Sequence, residues 1–249
     1  MANRDKWLVA IPIFNEVGYV NEILDEVSRY ADHILVINDG STDGTKEALA
    51  SRGGIHVVDH PQNRGYGAAL QTAFQFTIDE GFDGLVTIDC DGQHQPKRIP
   101  RFIEAASAAE IVSGSRYLKQ YPGDDAPPPE RMFINRRITA EVNQRLGFEL
   151  TDAFCGFKAY RTSALRKLDI TDDGYAMPLQ LWVQAAAAGM SVIEIPVPLI
   201  YLDLARSFGG SLDHAETRLA YYNQVLDDAI QAVGGSIPPA AERPNHQVG

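Results

Sequence analysis

Cysteine is scarce: the chain of 249 residues has two, Cys90 and Cys155, far apart in sequence. That excludes a disulfide framework and makes a reducing, intracellular setting the expectation. Long hydrophobic runs are missing too. Nothing approaches the roughly 18 to 20 consecutive apolar residues of a membrane-spanning helix, so no integral membrane segment is expected. Positive charge is in deficit, with 22 Lys and Arg against 33 Asp and Glu and a net charge of −11. Such a balance excludes nucleic acid as the main partner and general adhesion to anionic lipid. Any phosphate chemistry must then rest on a few placed cations, on backbone N–H groups or on a metal. The residues before Trp7 are polar and lead straight into an apolar run, which is not the pattern of a signal peptide. The expected location is cytoplasmic, at most peripheral at the cytoplasmic face of a membrane. What is present is 45% hydrophobic content, enough for a full core, in a length that suits one large α/β domain.

Apolar strand runs and helical spacings alternate along the first 115 residues. Strands are expected at 7–13, 33–37, 55–58, 84–88 and 110–113. Val20, Ile23, Leu24 and Val27 have helical spacing, and further helices are expected at about 45–51, 65–78 and 96–109. Ser41 or Thr42 is the expected cap of the second of these helices, with Asp43 another candidate. Alternation of this kind implies an α/β fold with a mostly parallel central sheet and helices on both faces. Ligands of such sheets bind at the carboxyl ends of the strands.

Residues 117–130 read as a long loop, mobile or functional. Helices at about 131–146 and 178–188 and strands at 156–160 and 191–196 follow. In the last helix, 211–233, Leu212, Ala215, Leu219, Tyr222, Leu226, Ala229 and Val233 recur in three-four steps. They form either a face packed on the domain or a seam for a homodimer. The tail 234–249 is expected to be disordered.

Polar residues cluster where strands end. Asp89 and Asp91 lie two apart on an extended segment, so their side chains point the same way and Cys90 points the other. Two hard oxygen donors on one side suit Mg2+ or Mn2+, and Gln93 can add a third; a turn with two solvated aspartates is the plainer alternative. His94 is either a lining or a structural residue. Asp39 can accept hydrogen bonds from a nucleobase, although Asn38-Asp39-Gly40 is also strong turn chemistry. Asn63-Arg64-Gly65-Tyr66-Gly67 opens a helix, where glycines admit close approach and the N-terminus favours anions. Arg64 is therefore a candidate nucleotide contact. Arg116, Arg131, Arg136 and Arg137 flank one region and form a candidate anion clamp, with a solvated helix face as the alternative for Arg136 and Arg137.

Together, Pro12…Asn15-Glu16, Asn38-Asp39-Gly40-Ser41-Thr42-Asp43-Gly44, Asn63-Arg64-Gly65, Asp89-Cys90-Asp91-Gly92-Gln93-His94…Pro96 and Gly114-Ser115-Arg116-Tyr117 resemble family 2 glycosyltransferases of the GT-A fold. With Thr151-Asp152…Cys155-Gly156-Phe157-Lys158, the nearest subgroup resembles the dolichol-phosphate (polyprenyl-phosphate) mannose or glucose synthases. The resemblance covers about residues 7–160. It implies a single GT-A domain over 1–233, with a nucleotide-sugar-binding half at 7–115, an acceptor half at 116–210 and a C-terminal helix at 211–233. It implies inverting transfer from a nucleotide-diphospho-sugar, GDP-mannose or a UDP-sugar, to polyprenyl phosphate. By this carry-over Asp39 binds the base, with Pro12, Asn15, Glu16, Arg64 and Gly65 beside the donor. Asp89, Asp91 and Gln93 hold the metal, and Arg116 and Arg131 meet the acceptor phosphate. Asp152 stands where many members place a base, although an ionised phosphate needs little deprotonation and Asp152 can orient instead. Past residue 160 the pattern thins: Arg206-Ser207-Phe208-Gly209-Gly210-Ser211-Leu212 lacks the lysine of the subgroup's segment, which leaves Arg206 as a substrate-binding candidate. Met177-Pro178-Leu179-Gln180 lacks an acidic residue common there. A soluble sugar or small-molecule acceptor, a non-catalytic nucleotide-sugar-binding module and a sugar-phosphate nucleotidyltransferase are the competing readings. The last expects a Gly-rich loop where Phe14-Asn15-Glu16 stands.

Overall fold

In the computed structural model, residues 6–200, 214–234 and 237 are described. Strand β1, Trp7–Ile13, is buried along nearly its whole length, as a central strand covered on both faces must be. Its side chains alternate between two cores. Leu8 and Ala10 face one, and Trp7, Val9, Ile11 and Ile13 face the other. Strands β2 (Ile34–Asn38), β3 (His56–Asp59), β4 (Gly84–Thr87), β5 (Ile111–Ser115), β6 (Lys158–Arg161) and β7 (Val192–Pro196) complete a sheet in the order β3-β2-β1-β4-β6-β5-β7. All neighbours run parallel except β6, which is antiparallel to both β4 and β5.

The helices cover both faces. The first core receives α3 (Tyr66–Asp79), α5 (Pro129–Leu146), α7 (Met177–Ala187) and α8 (Ala215–Ala232), and the second receives α1 (Val20–Val27) and α4 (Ile99–Ala105). On α1 the expected Val20, Ile23, Leu24 and Val27 are the buried residues. Two short helices, α2 (Thr45–Ala50) and α6 (Thr162–Leu165), finish the set. The helix expected over 96–109 is a 3-10 turn at Pro96–Arg98 followed by α4. Pro96 and Pro100 lack the N–H groups a continuous ladder needs.

The last helix is described from Ala215, so the part expected at 211–213 lies outside the described residues, as do Leu212 and Arg206. Tyr222, Leu226 and Ala229 are buried in the first core, and Ala215, Leu219 and Val233 pack against it. The apolar face packs on the chain's own α5 and α7. The tail from residue 235 is outside the described residues except Ile237. The loop at 117–128 is tied down: Asp124 accepts from the N–H groups of Tyr121 and Leu199 at 2.6 and 3.0 Å, and Asp125 N–H donates to the Leu199 carbonyl at 2.9 Å.

Sheet direction sets the site. β1, β2, β4, β5 and β7 run the same way, so the loops after them emerge on one edge. β6 enters from that edge, which brings the segment 151–157 there as well. Ile13 pairs with Asn38 and Asn38 with Asp59, so the first three strands end level.

Gly67 sits in the first turn of α3, against the carbonyl oxygen of Asp172. A helical glycine replaced by alanine ordinarily gains about 0.5–1 kcal/mol. Here a Cβ would overlap that backbone oxygen, and overpacking costs about 1–3 kcal/mol. Gly67→Ala is therefore expected to lower the urea midpoint, a sign opposite to helix propensity; an unchanged or raised midpoint would show that the 172–174 loop yields freely.

Candidate active site

The loops after β1 and β2 brace each other. Asn15 adopts a left-handed conformation, φ 57, which asparagine tolerates better than most residues. Its N–H donates to Ser41 Oγ at 2.9 Å and its Oδ1 accepts from Thr42 N–H at 2.8 Å. Glu16 N–H donates to Thr45 Oγ1 at 3.0 Å and Val17 N–H to Asp43 at 3.1 Å. Ser41 and Thr42 thus tie loops together rather than cap α2. Its N-cap is Gly44, φ 99, with Asp43 accepting from Thr45 N–H at 3.0 Å.

Asp39 is buried, at 3% exposure, yet forms part of the cavity wall. Its carboxylate accepts from the N–H groups of Arg64 and Gly65 at 2.9 and 2.8 Å and lies 2.6 Å from His60 Nδ1. His60 Nε2 in turn lies 2.9 Å from Thr72 Oγ1. Asp39 therefore fastens the start of α3 to the end of β2. Arg64 joins the site through its backbone alone, since its side chain is exposed and lines neither cavity described below. Part of the N-terminus of α3 is taken up by the chain itself. Ala68 N–H donates to the Asp173 carbonyl at 3.2 Å, and Gly65 and Gly67 admit that loop's backbone.

After β4, Asp89 and Asp91 both face the large cavity while Cys90 is buried in the second core. Asp89 accepts from Tyr66 Oη at 3.1 Å. Burial, reinforced by the Asp89 charge, pushes the Tyr66 phenol well above its usual range, so it stays a donor. A side chain at 156 would collide with the Asp89 carboxylate, its Cβ 2.5 Å from Oδ2, which explains the glycine. His94 is structural: it is buried, its Nδ1 accepts from Asp89 N–H at 3.2 Å, and it packs on Phe157.

Arg116, after β5, makes a two-pronged bond to Asp152, Nε to Oδ2 at 2.7 Å and Nη2 to Oδ1 at 2.9 Å. Asn135 Nδ2 and Phe154 N–H also donate to Asp152, at 2.8 and 3.1 Å. Burial alone would raise the Asp152 pKa, but the Arg116 charge and these bonds outweigh it and hold the carboxyl below its ordinary value. Asp152 has no exposed surface and lines neither cavity. A depressed, fully engaged carboxylate is a poor proton acceptor and a good anchor for a guanidinium. Lys158 is buried with its ammonium on the Cys155 carbonyl and over the Trp182 ring, 5.3 Å from the centroid.

Two cavities meet here. The larger, about 720 Å3, is lined by Pro12, Glu16, Asp39, Gly65, Asp89, Asp91, Gln93, Arg116 and Arg131 among others. The smaller, about 190 Å3, has Ile134, Phe154, Pro178 and Tyr222 on its walls, with Tyr117, Asn135 and Arg218. Both share Tyr66, Asp89, Gln93, Arg116, Arg131 and Tyr175. Arg136 and Arg137 line neither and lie on the solvent face of α5, Arg137 pairing with Glu141 at 3.1 Å. Among the described residues no group of three His, Cys, Asp or Glu side chains is placed to hold a metal.

Residues 8–169 match the family model "Glycosyl transferase family 2". The chain belongs to this family. It is 31% identical to an undecaprenyl-phosphate mannosyltransferase of Micrococcus luteus, over 80% of this chain and 86% of that one. It is 33% identical to a polyprenol monophosphomannose synthase of Mycolicibacterium smegmatis, over 80% of this chain and 79% of the relative. In fold it matches glucosyl-3-phosphoglycerate synthase of Mycobacterium tuberculosis with TM-score 0.66 and 21% identity, covering 95% of this chain and 82% of that one.

The sequence motifs of this family 2 transferase left several wall residues without a role. Tyr66 and Tyr175, whose rings stack 5.9 Å apart, stand between the cavities. Tyr175, Phe154 and Arg218 lie outside the strand-end motifs, and Tyr222 was legible only as part of the apolar stripe of the last helix. Glu194 on β7 was also missed. It is buried and accepts from Thr151 N–H and Oγ1, both at 2.8 Å, and from Asp152 N–H at 3.0 Å. Burial pushes its carboxyl up, against these hydrogen bonds, to about 7. A raised carboxyl favours the folded state while protonated. Its contribution is full below the unfolded value near 4.5 and is lost as pH rises through 7. From pH 5 to 8 the transferase should therefore lose stability relative to Glu194→Gln, by on the order of 3 kcal/mol at most. Denaturant curves of both proteins at each pH test this; parallel pH profiles would refute it.

Proposed function

We propose that the chain is an inverting, divalent-cation-dependent hexosyltransferase that moves a sugar from a nucleotide diphosphate, GDP-mannose or a UDP-sugar, to polyprenyl phosphate. The observation that carries this reading is the pair of unequal cavities joined at one wall. The large polar one suits a nucleotide-sugar. The small one pairs apolar rings with arginines, as the phosphate end of a prenyl chain requires. Both named relatives are polyprenyl-phosphate enzymes. No described helix is long and apolar enough to cross a membrane, so the lipid acceptor would be met peripherally.

The donor set fits Mg2+ or Mn2+: Asp89 and Asp91 face the large cavity with Gln93 beside them, all hard oxygen donors. Such ions take one or two carboxylates and leave their other positions to phosphate oxygens and water. When bound, the cation would neutralise charge on the departing diphosphate. Asp39 shapes the wall for the base and fixes the loop under it. Arg116 and Arg131, on the shared wall, hold the acceptor phosphate against the sugar. That phosphate is already ionised near neutrality, its second pKa being about 6. It attacks without a base, which agrees with Asp152 acting as the anchor of Arg116.

A thermal-shift panel of UDP-, GDP- and dTDP-sugars with and without Mn2+ names the donor. A ligand at a hundredfold excess over its Kd should add about 2.7 kcal/mol. Asp91→Ala is expected to abolish both turnover and the Mn2+-dependent shift. Asp152→Asn should lower kcat by about tenfold to a hundredfold and raise the acceptor KM without shifting the pH profile. An acidic limb that disappears in Asp152→Asn would restore it as a base. No transfer from any donor to prenyl phosphate would refute the acceptor.

A further inference from the structure

Resting on that acceptor reading, we propose that α8 supplies a third cation to the small cavity. Arg218 is a binding residue for the acceptor phosphate, and Glu130 occupies it until the phosphate arrives. Arg218 is 4% exposed and forms part of the cavity wall beside Arg116 and Arg131. One turn further along α8, Tyr222 closes the same wall, its ring 5.0 Å from that of Phe154. A buried guanidinium needs a counter-charge. Glu130 provides one at 2.9 Å from Nη2. The two side chains differ in freedom: that of Arg218 is 4% exposed and that of Glu130 is 51% exposed. Glu130 sits in the first turn of α5 and can turn outward into water, whereas Arg218 is held by the core.

Arg116, on the same wall, is placed differently. Arg116 is committed to Asp152, a carboxylate without solvent access that cannot leave it. Of these two ion pairs, Arg218–Glu130 is the one whose carboxylate is open to solvent and can exchange. A phosphate monoester brings up to two negative charges and acceptor oxygens that match a guanidinium fork, and it replaces a single carboxylate. The occupant is thus an anionic phosphate ester with an apolar body, positioned by three arginines and packed on Phe154, Tyr175 and Tyr222.

The test uses the full chain with citronellyl phosphate as acceptor, citronellol and inorganic phosphate as controls, and 3-phosphoglycerate as a soluble phosphorylated alternative. Arg218→Ala is expected to raise the citronellyl phosphate KM by about tenfold to a hundredfold, the loss of a charge-assisted hydrogen bond, with the donor KM within about twofold of wild type. Arg218→Lys should recover part of that loss. Glu130→Gln should lower the acceptor KM several-fold, because the competing carboxylate is gone. Citronellol should not bind detectably in any of them. If Arg218→Ala raises both KM values equally, or neither, the inference falls. It also falls if Glu130→Gln leaves the acceptor KM unchanged while lowering Tm, the mark of a purely structural ion pair. Calorimetric binding separates this from failure of the acceptor reading. Citronellyl phosphate that binds wild type, loses affinity in Arg218→Ala and is never glycosylated would sink the acceptor reading and keep the phosphate site. Preference for 3-phosphoglycerate with the same Arg218 dependence would do likewise. Binding unchanged in Arg218→Ala would overturn the site itself.

Discussion

The bond between Arg116 and Asp152 is the constraint on which the rest of the site depends. One carboxylate, removed from solvent, gathers the end of β5 through Arg116, the helix α5 through Asn135 and its own loop through Phe154 N–H. Glu194 on β7 holds that loop from behind. Removing Arg116 costs about 3–5 kcal/mol, because Asp152 stays charged and unsolvated. What this arrangement achieves is a guanidinium whose position is set before any ligand arrives. Its remaining donors face a wall shared by two cavities.

The same reasoning applies to the arginines of a chain of net charge −11. The overall field repels anions, and the arginines of the cavity walls are placed with carboxylates of unequal commitment. Asp152 is locked under Arg116. Glu130 is half in solvent. Asp89 and Asp91 face the large cavity. Each acid is distinguished by burial and by its donors rather than by type.

Close approach is the second requirement. Gly156 lets the Asp89 carboxylate lie on the loop before β6, and Gly65 and Gly67 let the backbone at 172–173 close over the start of α3. Asp39 joins that closure by accepting from the backbone at 64 and 65. The glycines at the start of α3 also make space for another part of the chain. The carboxylate that read as a nucleobase contact is first of all a clamp.

The alternation of apolar runs with helical spacings was enough to determine seven strands, the helices between them apart from the short α6, and the convergence of Asp39, Asp89, Asp91, Gln93 and Arg116 on one edge. Burial of both sheet faces imposes those periods on the residues themselves, and parallel strands send their carboxyl ends one way. Tertiary structure alone decided that β6 runs antiparallel, that Asp152 is sealed beneath Arg116 and that Arg64 faces water. It also decided that Tyr175, Arg218 and Tyr222, distant in sequence, form one wall with Phe154. Such facts depend on which segments meet across the sheet edge. A residue far along the chain leaves no local pattern of the partner it will meet.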